Sequence, residues 1–446
     1  MRLTTFLTGG PINYTKFENW ITRKLISLQR LTPVAITYII FIMTSKRKHT
    51  LAAAARFANT SKAKFNNLLS NHSDIAIFAL HELSKKQARQ FSKAMHALGQ
   101  NSLPWNIAII VDATFLGRSS LHTENAKKFN HGKGYVIGHQ WTNIVLLING
   151  KVIPLPPIAF YTAKYCRTYG IKYKTENERV IEYLAQLDLK QYIGAHAPQK
   201  VVFLADSGYD DHRIEKTVAG KKWSFIIALK STRSIKTESV YNKTKKSEGW
   251  NSIAVTFKRN RRVKWQPIRV PKNSGKNKRM EFRIRQIIGY LRNFGKAQLI
   301  CSQFSKKSKG RIKYLACNDL KATPRQIIIG YRLRWRIEIF HKEVKMFLGF
   351  EDVSAKWFDS VISHVHWVYC AYILLNSGPP GMPKQMKSLA AKQEFVEEML
   401  KRKELSRLNQ LMTQINGLQR LKNEIQQALK GGSLQDHFIF RELTPR

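Results

Sequence analysis

Three short runs constrain the fold of this chain more than any other feature. Residues 107–111 (Ile-Ala-Ile-Ile-Val), 201–205 (Val-Val-Phe-Leu-Ala) and 225–229 (Phe-Ile-Ile-Ala-Leu) contain no polar side chain. Runs of this length suit strands, and a strand that is apolar on both faces needs cover on both faces. They predict a sheet packed between helices. The intervening sequence agrees. Residues 144–148 and 151–155 flank Asn149-Gly150, a pair that supplies the positive φ angles of a tight hairpin turn. Thr175-Glu176-Asn177-Glu178 opens a helix with a capping box, and Val180, Ile181, Leu184 and Leu187 fall on its inner face. The expected class is therefore α/β, a mixed sheet with helices on its faces.

Other segments have a different texture. Residues 1–100 read as a helical domain: Phe17, Trp20, Ile21, Leu25 and Leu28 recur at helical spacing before Pro33 interrupts. Within it, 50–57 and 65–69 read as two short helices around the polar turn Asn59-Thr60-Ser61. That pattern suits a DNA-reading helix-turn-helix or a plain packed pair equally. Residues 101–230 hold the first part of the sheet. Residues 231–313 carry 24 Lys and Arg against three Glu. β-prone pieces lie at 253–257, 263–270, 282–290 and 298–301, and Asn273-Ser274-Gly275-Lys276-Asn277 reads as a turn. The segment to about residue 320 is expected to be a cationic, β-rich insertion, separable from the core because the three apolar runs lie outside it; a solvated basic loop is the plainer alternative. Helix returns over 321–376, a Gly/Pro-rich break follows at 376–383, and 384–446 reads as a helical tail. In that tail Leu408, Leu411, Ile415, Leu418, Leu421, Ile425 and Leu429 could dock on the body or on a second copy.

The charge balance narrows the partner. There are 76 Lys and Arg against 29 Asp and Glu, a net charge of +47, so a polyanion is the expected partner and nucleic acid the leading one. A hydrophobic content of 43% excludes a wholly disordered chain. A membrane-spanning role is not expected. The best apolar stretches, 34–43 and 365–375, fall short of the roughly 20 residues a span requires, and the start of the chain shows no signal peptide. Cys166, Cys301, Cys317 and Cys370 form no C-x-x-C pair, and the histidines form no metal-binding array. Buried thiols in a reducing cytoplasm are expected, with no zinc site or disulfide framework.

Acids are scarce, so their positions carry information. Asp112 and Asp206 directly follow two of the apolar runs. A carboxylate at the end of a buried strand pays desolvation and usually has a cation or partner nearby; a turn-forming or N-capping Asp is the plainer reading of each. Between 331 and 345 no Gly or Pro interrupts, so one continuous helix is expected. At about 100° per residue it would carry Tyr331, Arg334, Glu338 and Lys345 within an arc of about 60°. An ordinary salt-bridged surface helix is the alternative there. Three carboxylates can hold two divalent cations roughly 3.5–4 Å apart, one activating a nucleophile and one stabilising a leaving oxygen. Oxygen ligands select Mg2+, with Mn2+ as the substitute.

These residues carry a resemblance. Asp112 after its strand, Asp206-Ser207-Gly208-Tyr209, and the Tyr331-x2-Arg334-x3-Glu338-x6-Lys345 spacing resemble the three motifs of DDE transposases. The last is similar to the Y-x2-R-x3-E-x6-K signature of the insertion-sequence-four type. The resemblance spans 106–346. It implies an RNase H-like catalytic core interrupted by a β insertion, with Asp112, Asp206 and Glu338 as catalytic metal ligands and two Mg2+ per site. Tyr331, Arg334 and Lys345 would contact phosphates near the cut. It implies cutting of double-stranded DNA at the terminal inverted repeats of a mobile element, joining to target DNA, a homodimer on DNA, and a nucleoid-associated place in the cytoplasm. Trp265, flanked by Arg262 and Lys264 on one side and Arg269 on the other, is a position where a flipped base could stack, with Trp250 as rival and core packing as the alternative. Trp335 is expected to pack, and His139 and His341 to be hydrogen-bonded structural histidines. Two other functions remain open: a DNA-binding relative without catalysis, and an RNA-processing nuclease.

Overall fold

The computed structural model describes residues 31–412 apart from 47, 133, 195–199, 243–247, 261, 272–278, 305–311, 380 and 384, together with 423 and 426. The helical expectation for 1–30, the turn at 273–277 and most of the tail beyond 412 lie outside the described residues. The chain forms two compact units. The first comprises 1–87, 115–139 and 341–446, and the second 88–114 and 140–340.

In the second unit the apolar runs become strands. In chain order the strands are β1 (Ile107–Gly117), β2 (Lys127–His131), β3 (Gly134–Ile148), β4 (Lys151–Pro154), β5 (Ile158–Ala159), β6 (Val201–Ala205) and β7 (Ser224–Leu229). They are followed by β8 (Ser234–Thr237), β9 (Asn251–Ser252), β10 (Gln266–Pro271), β11 (Arg279–Leu291), β12 (Gly295–Phe304) and β13 (Lys313–Cys317). The sheet order is β3-β1-β6-β7-β13-β12-β11-β8-β9, with β4 and β5 also on β3 and β10 on β11. β1, β6 and β7 pair in parallel, and β4 pairs antiparallel with β3 through a turn in which Asn149 and Gly150 have φ of 50° and 74°. The order β4-β3-β1-β6-β7 is that of an RNase H-like fold.

An apolar core backs one face of this sheet. Ile107, Ile109 and Val111 meet Val201, Phe203 and Ala205, with Val180, Leu184, Ile214 and Val218 supplied by covering helices. Those helices, among others, run in chain order α1 (Pro33–Thr44), α2 (Leu51–Phe57), α3 (Lys62–Asn71), α4 (Ser73–Ser92), α5 (Ala163–Thr168), α6 (Glu176–Gln186), α7 (His212–Gly220) and α8 (Ile253–Arg259). α9 (Pro324–Arg332), α10 (Trp335–Phe347), α11 (Phe358–Ser377) and α12 (Leu389–Met412) follow. α6 starts on the expected capping box, with Thr175 and Glu178 bonded reciprocally.

Two expectations need correction here. The cationic segment is largely β, but 253–257 is helical and belongs to α8 rather than to a strand. Nor does the segment stand apart from the core. β12 pairs with β13 and β13 with β7, while Ile235, Ile253, Phe257, Leu291, Ala297 and Leu299 join the same apolar cluster as β1 and β6. Short β-prone pieces do not reveal their partners, and these ones extend the central sheet.

The first unit is mainly helical. The apolar stretch at 34–43 lies in α1 and the one at 365–375 in α11, both buried within the protein. No described helix is long and apolar enough to cross a membrane. Tyr38 of α1 donates to His364 Nδ1 at 2.9 Å, and His364 Nε2 meets the Gly349 carbonyl at 2.9 Å. α2 and α3 form the expected short pair, with Asn59 at φ 47° turning the chain between them. β2 forms a hairpin with the start of β3. All four cysteines are buried and free.

Candidate active site

The parallel pairing of β1 and β6 sets the first two acids. Val111 pairs with Ala205, so Asp112 and Asp206 follow a registered pair and sit side by side, on strands about 4.8 Å apart. Asp206 also takes the plainer role foreseen for it: its carboxylate accepts from the Gly208 amide at 2.8 Å and caps the short turn Ser207–Tyr209. Asp112 is mostly buried. Burial pushes its carboxyl up to about 7 against the pull of Arg334, and the charges of Asp206 and Glu338 push the same way. Glu338 therefore belongs to the same electrostatic cluster.

Glu338 reaches the cluster by a route the periodicity did not predict. The expected continuous helix over 331–345 is broken: α9 ends at Arg332, and α10 begins at Trp335. The amides of Arg334 and Ile337 turn back three residues, to Tyr331 and Arg334. No Gly or Pro marks the break, so sequence alone offered no signal for it. Its effect is to set Arg334 at a corner, from which the guanidinium bonds Asp112 Oδ2 at 3.3 Å and closes a bond to Glu338 Oε1. Burial alone would lower the Arg334 pKa, but Tyr331, Asp112, Glu338 and Asp206 together hold it above its usual range. The buried Tyr331 hydroxyl is pushed up chiefly by burial, against the influence of Arg334.

Three further residues join this group. Lys313, the first residue of β13, lies with its Nζ 5.3 Å from the centre of the Tyr331 ring. Burial and then Arg334 lower its pKa, while Glu338 and Asp206 oppose them. Among 76 basic residues nothing in the sequence singles it out; the pairing of β13 with β7 brings it here. Tyr209, in the Asp206 motif, donates its hydroxyl to Glu176 at 2.6 Å. Glu176 also receives Thr142 at 2.8 Å and Gln140 at 2.6 Å. The capping pattern at 175–178 drew attention to Glu178, whereas its neighbour Glu176 is the residue that grips the site.

Lys345 lies seven residues beyond Glu338 on α10, in the part assigned to the first unit. There it donates to the Phe115 carbonyl at 2.6 Å and pairs with Glu351 at 2.8 Å. Trp265 is half-buried against the core, with the guanidinium groups of Arg283 and Arg285 at 5.4 and 5.9 Å from its ring; Arg262 and Lys264 are exposed. β10, which Trp265 leads into, lies against α9: Arg332 donates to the Pro271 carbonyl at 2.6 Å. Trp335 does not pack as expected and is 55% exposed. His139 is buried, stacked on Phe358 at 5.0 Å and bonded to the Glu124 carbonyl, and burial drives its pKa down to about 4. His341 is buried as well.

Among the described residues no three His, Cys, Asp or Glu side chains close into a ready metal cage. Arg334 spans Asp112 and Glu338 instead. The donor set nevertheless fits a hard divalent cation. It offers carboxylate oxygen only, and burial, with the charges of Asp206 and Glu338 adding to it, makes the ionised Asp112 carboxylate costly without a cation beside it.

Comparison with known families places residues 106–374 in the family described as the transposase DDE domain, a match over more than half of the chain. No curated protein matches the chain.

Proposed function

From a chain that belongs to the transposase DDE domain family, we propose an enzyme that cuts the ends of an insertion sequence and joins them to target DNA by two-metal phosphoryl transfer. The family assignment supports a transposase-type function acting on DNA. The observation that carries the finer reading is the bridging of Asp112 and Glu338 by Arg334, with Asp206 beside Asp112 on the next strand.

Asp112, Asp206 and Glu338 are the residues that would hold Mg2+, with Mn2+ able to replace it. When bound, the metal pair would activate the attacking oxygen and stabilise the leaving 3′-oxygen. The protein's own contribution is positioning and charge. Arg334 holds two of the acids in place and presents its guanidinium where a phosphate would arrive. Tyr331 and Lys313 line the same approach, and Glu176 fixes Tyr209 and with it the turn that carries Asp206. Lys345 is proposed to contact a phosphate farther along the DNA. Trp265, Arg262 and Lys264 are proposed as contacts near the element end, and the α2–α3 pair as a DNA-reading unit. The match of Tyr331, Arg334, Glu338 and Lys345 to the insertion-sequence-four signature supports assignment to that type. Joining two ends calls for two copies, so a homodimer on DNA, at the nucleoid, is part of this reading.

The test is cleavage of a cognate element end. Wild-type protein is expected to nick it with Mg2+, and Asp206→Ala to bind with unchanged affinity and not cut. Wild-type binding without cutting, under both Mg2+ and Mn2+, would overturn the reading in favour of a non-catalytic DNA-binding relative.

A further inference from the structure

Strand β10 lies at an edge of the sheet, where main-chain groups are left over. In a strand, the N–H and C=O of one residue point to the same side, and the side alternates along the chain. The carbonyls of Arg269 and Pro271 accept from α9, from Arg325 Nε at 3.3 Å and from an Arg332 terminal nitrogen at 2.6 Å. The odd-numbered residues of β10 therefore face away from β11. Two of them, Pro267 and Pro271, have no N–H. The free edge is thus rich in acceptors, and arginine supplies donors without adding an acceptor. The stretch leading into β10 is held in the same way. Arg285 of β11 donates Nε to the Val263 carbonyl at 2.7 Å, and its other two nitrogens to the carbonyls of Phe257 and Asn260. Three guanidinium groups in a chain built to hold a polyanion are thus turned onto the protein's own backbone.

We propose that Arg332 is a positioning residue: through β10 it sets where DNA held by the 262–271 stretch meets the corner formed by Tyr331 and Arg334. The inference rests on the DNA-cutting reading above and adds a residue to it. Arg332 directly follows Tyr331 and ends α9, two residues before Arg334. Its guanidinium also reaches Met280 Sδ at 3.4 Å, and Met280 pairs with Val270, so it grips both strands of the β10–β11 pair. The side chain is half-buried, and burial lowers its pKa. A contact made for a phosphate would instead stand in solvent, as Arg262 and Lys264 do. These two residues and Trp265 lie at the opposite end of the strand. Six residues of strand separate the two ends, about 20 Å. β10 is thus a strut, fixed at its entry by Arg285 and at its far end by Arg332. Without Arg332, DNA still binds the exposed cations, but it is no longer held in register with the corner. Loss of register of this kind lowers rate and spares affinity.

The experiment uses the full chain and the cognate element end. It measures Kd in metal-free buffer, cleavage rate with Mg2+ at saturating DNA, and melting temperature. Arg332→Met keeps the stem and loses the donors. It is expected to cut about tenfold more slowly at saturation, as loss of positioning requires, with Kd and melting temperature unchanged. Arg332→Lys keeps one donor for the Pro271 carbonyl and is expected to recover most of the rate. A saturated rate equal to wild type in Arg332→Met would overturn the proposal and leave the DNA-cutting reading intact. So would a weaker Kd with an unchanged saturated rate, which would make Arg332 a phosphate contact. A lower melting temperature in Arg332→Met, with no recovery of rate in Arg332→Lys, would assign it a structural role only and overturn the proposal as well. Wild-type protein that binds the end without cutting it would sink both the proposal and the reading beneath it.

Discussion

Asp112→Asn is the perturbation whose consequence can be worked furthest. The carboxyl rises from 3.8 to about 7 in the folded protein, chiefly through burial, and its side chain is only 16% exposed. An acid whose folded pKa is raised holds its proton longer folded than unfolded. Its contribution to stability is therefore intact below pH 3.8 and is lost as pH rises towards about 7. Three pK units correspond to about 4 kcal/mol. Asn cannot ionise and escapes this loss. In metal-free buffer the variant should be more stable than wild type by about 4 kcal/mol at pH 8, shrinking to about 1 kcal/mol near pH 4.5. Urea unfolding followed by Trp fluorescence across this range measures the difference. Taking the difference between two proteins removes other groups that titrate in the same window, such as Glu215. Mg2+ should then narrow the gap at pH 8, by stabilising wild type and not the variant. A gap that does not change with pH, or a variant less stable than wild type at pH 8, would refute the argument that burial makes the ionised Asp112 carboxylate a cost to the folded protein.

Two other substitutions test the supports. Glu176→Gln keeps the size of the side chain but removes the charge that Tyr209, Thr142 and Gln140 converge on; charged hydrogen bonds are worth about 1.5–3 kcal/mol each. Cleavage is expected to fall about tenfold or more at saturating DNA, as positioning loss requires, with Kd for the element end unchanged; an unaltered cleavage rate would show that Glu176 does not position the site. In the first unit, Gly349 has φ +63°, and the His49 ring occupies the place a β-carbon would take. Gly349→Ala should therefore lose more than about 3 kcal/mol by strain and displacement of a buried group, and a melting temperature equal to wild type would contradict this.

The parts legible in the sequence were those governed by local rules. The runs at 107–111, 201–205 and 225–229 announced buried strands because a short all-apolar run has few other places to go. Asn149-Gly150 and Thr175 announced a turn and a helix start for equally local reasons. Asp112, Asp206, Arg334 and Glu338 could be grouped because their spacing resembles a known pattern, and the structure brings these four together. What stayed hidden was long-range. Lys313 reaches the site only through strand pairing across the sheet. The break between α9 and α10 serves tertiary contacts of Arg334, so no helix-breaking residue marks it. The sign of Trp335, exposed rather than packed, depends on that same break.

The acids also explain why the cationic segment cannot be regarded as an appendage. In a chain with so few carboxylates, an unusual share sits between 206 and 215, and each is tied down. Asp206 accepts from Gly208 at 2.8 Å, and Asp211 from the Arg213 amide at 2.9 Å. Asp210 accepts from the Lys230 amide at 2.8 Å and pairs with Arg233 at 2.9 Å, while Glu215 pairs with the same Arg233 at 2.7 Å. Asp210 and Glu215 are both buried, and burial raises both pKa values, Glu215 to about 7. Two buried acids sharing one cation are a poor source of stability. They are, however, an effective way to hold a loop in one conformation, which the metal-ligand role proposed for Asp206 at its start would require. Arg233, the residue that serves both, lies at the beginning of the cationic segment. Its removal would leave two buried carboxylates without their cation immediately downstream of Asp206. The segment therefore does two things at once: it presents positive charge outward for a polyanion, and through Arg233 at one end and Lys313 at the other it places cations against the acids of the core.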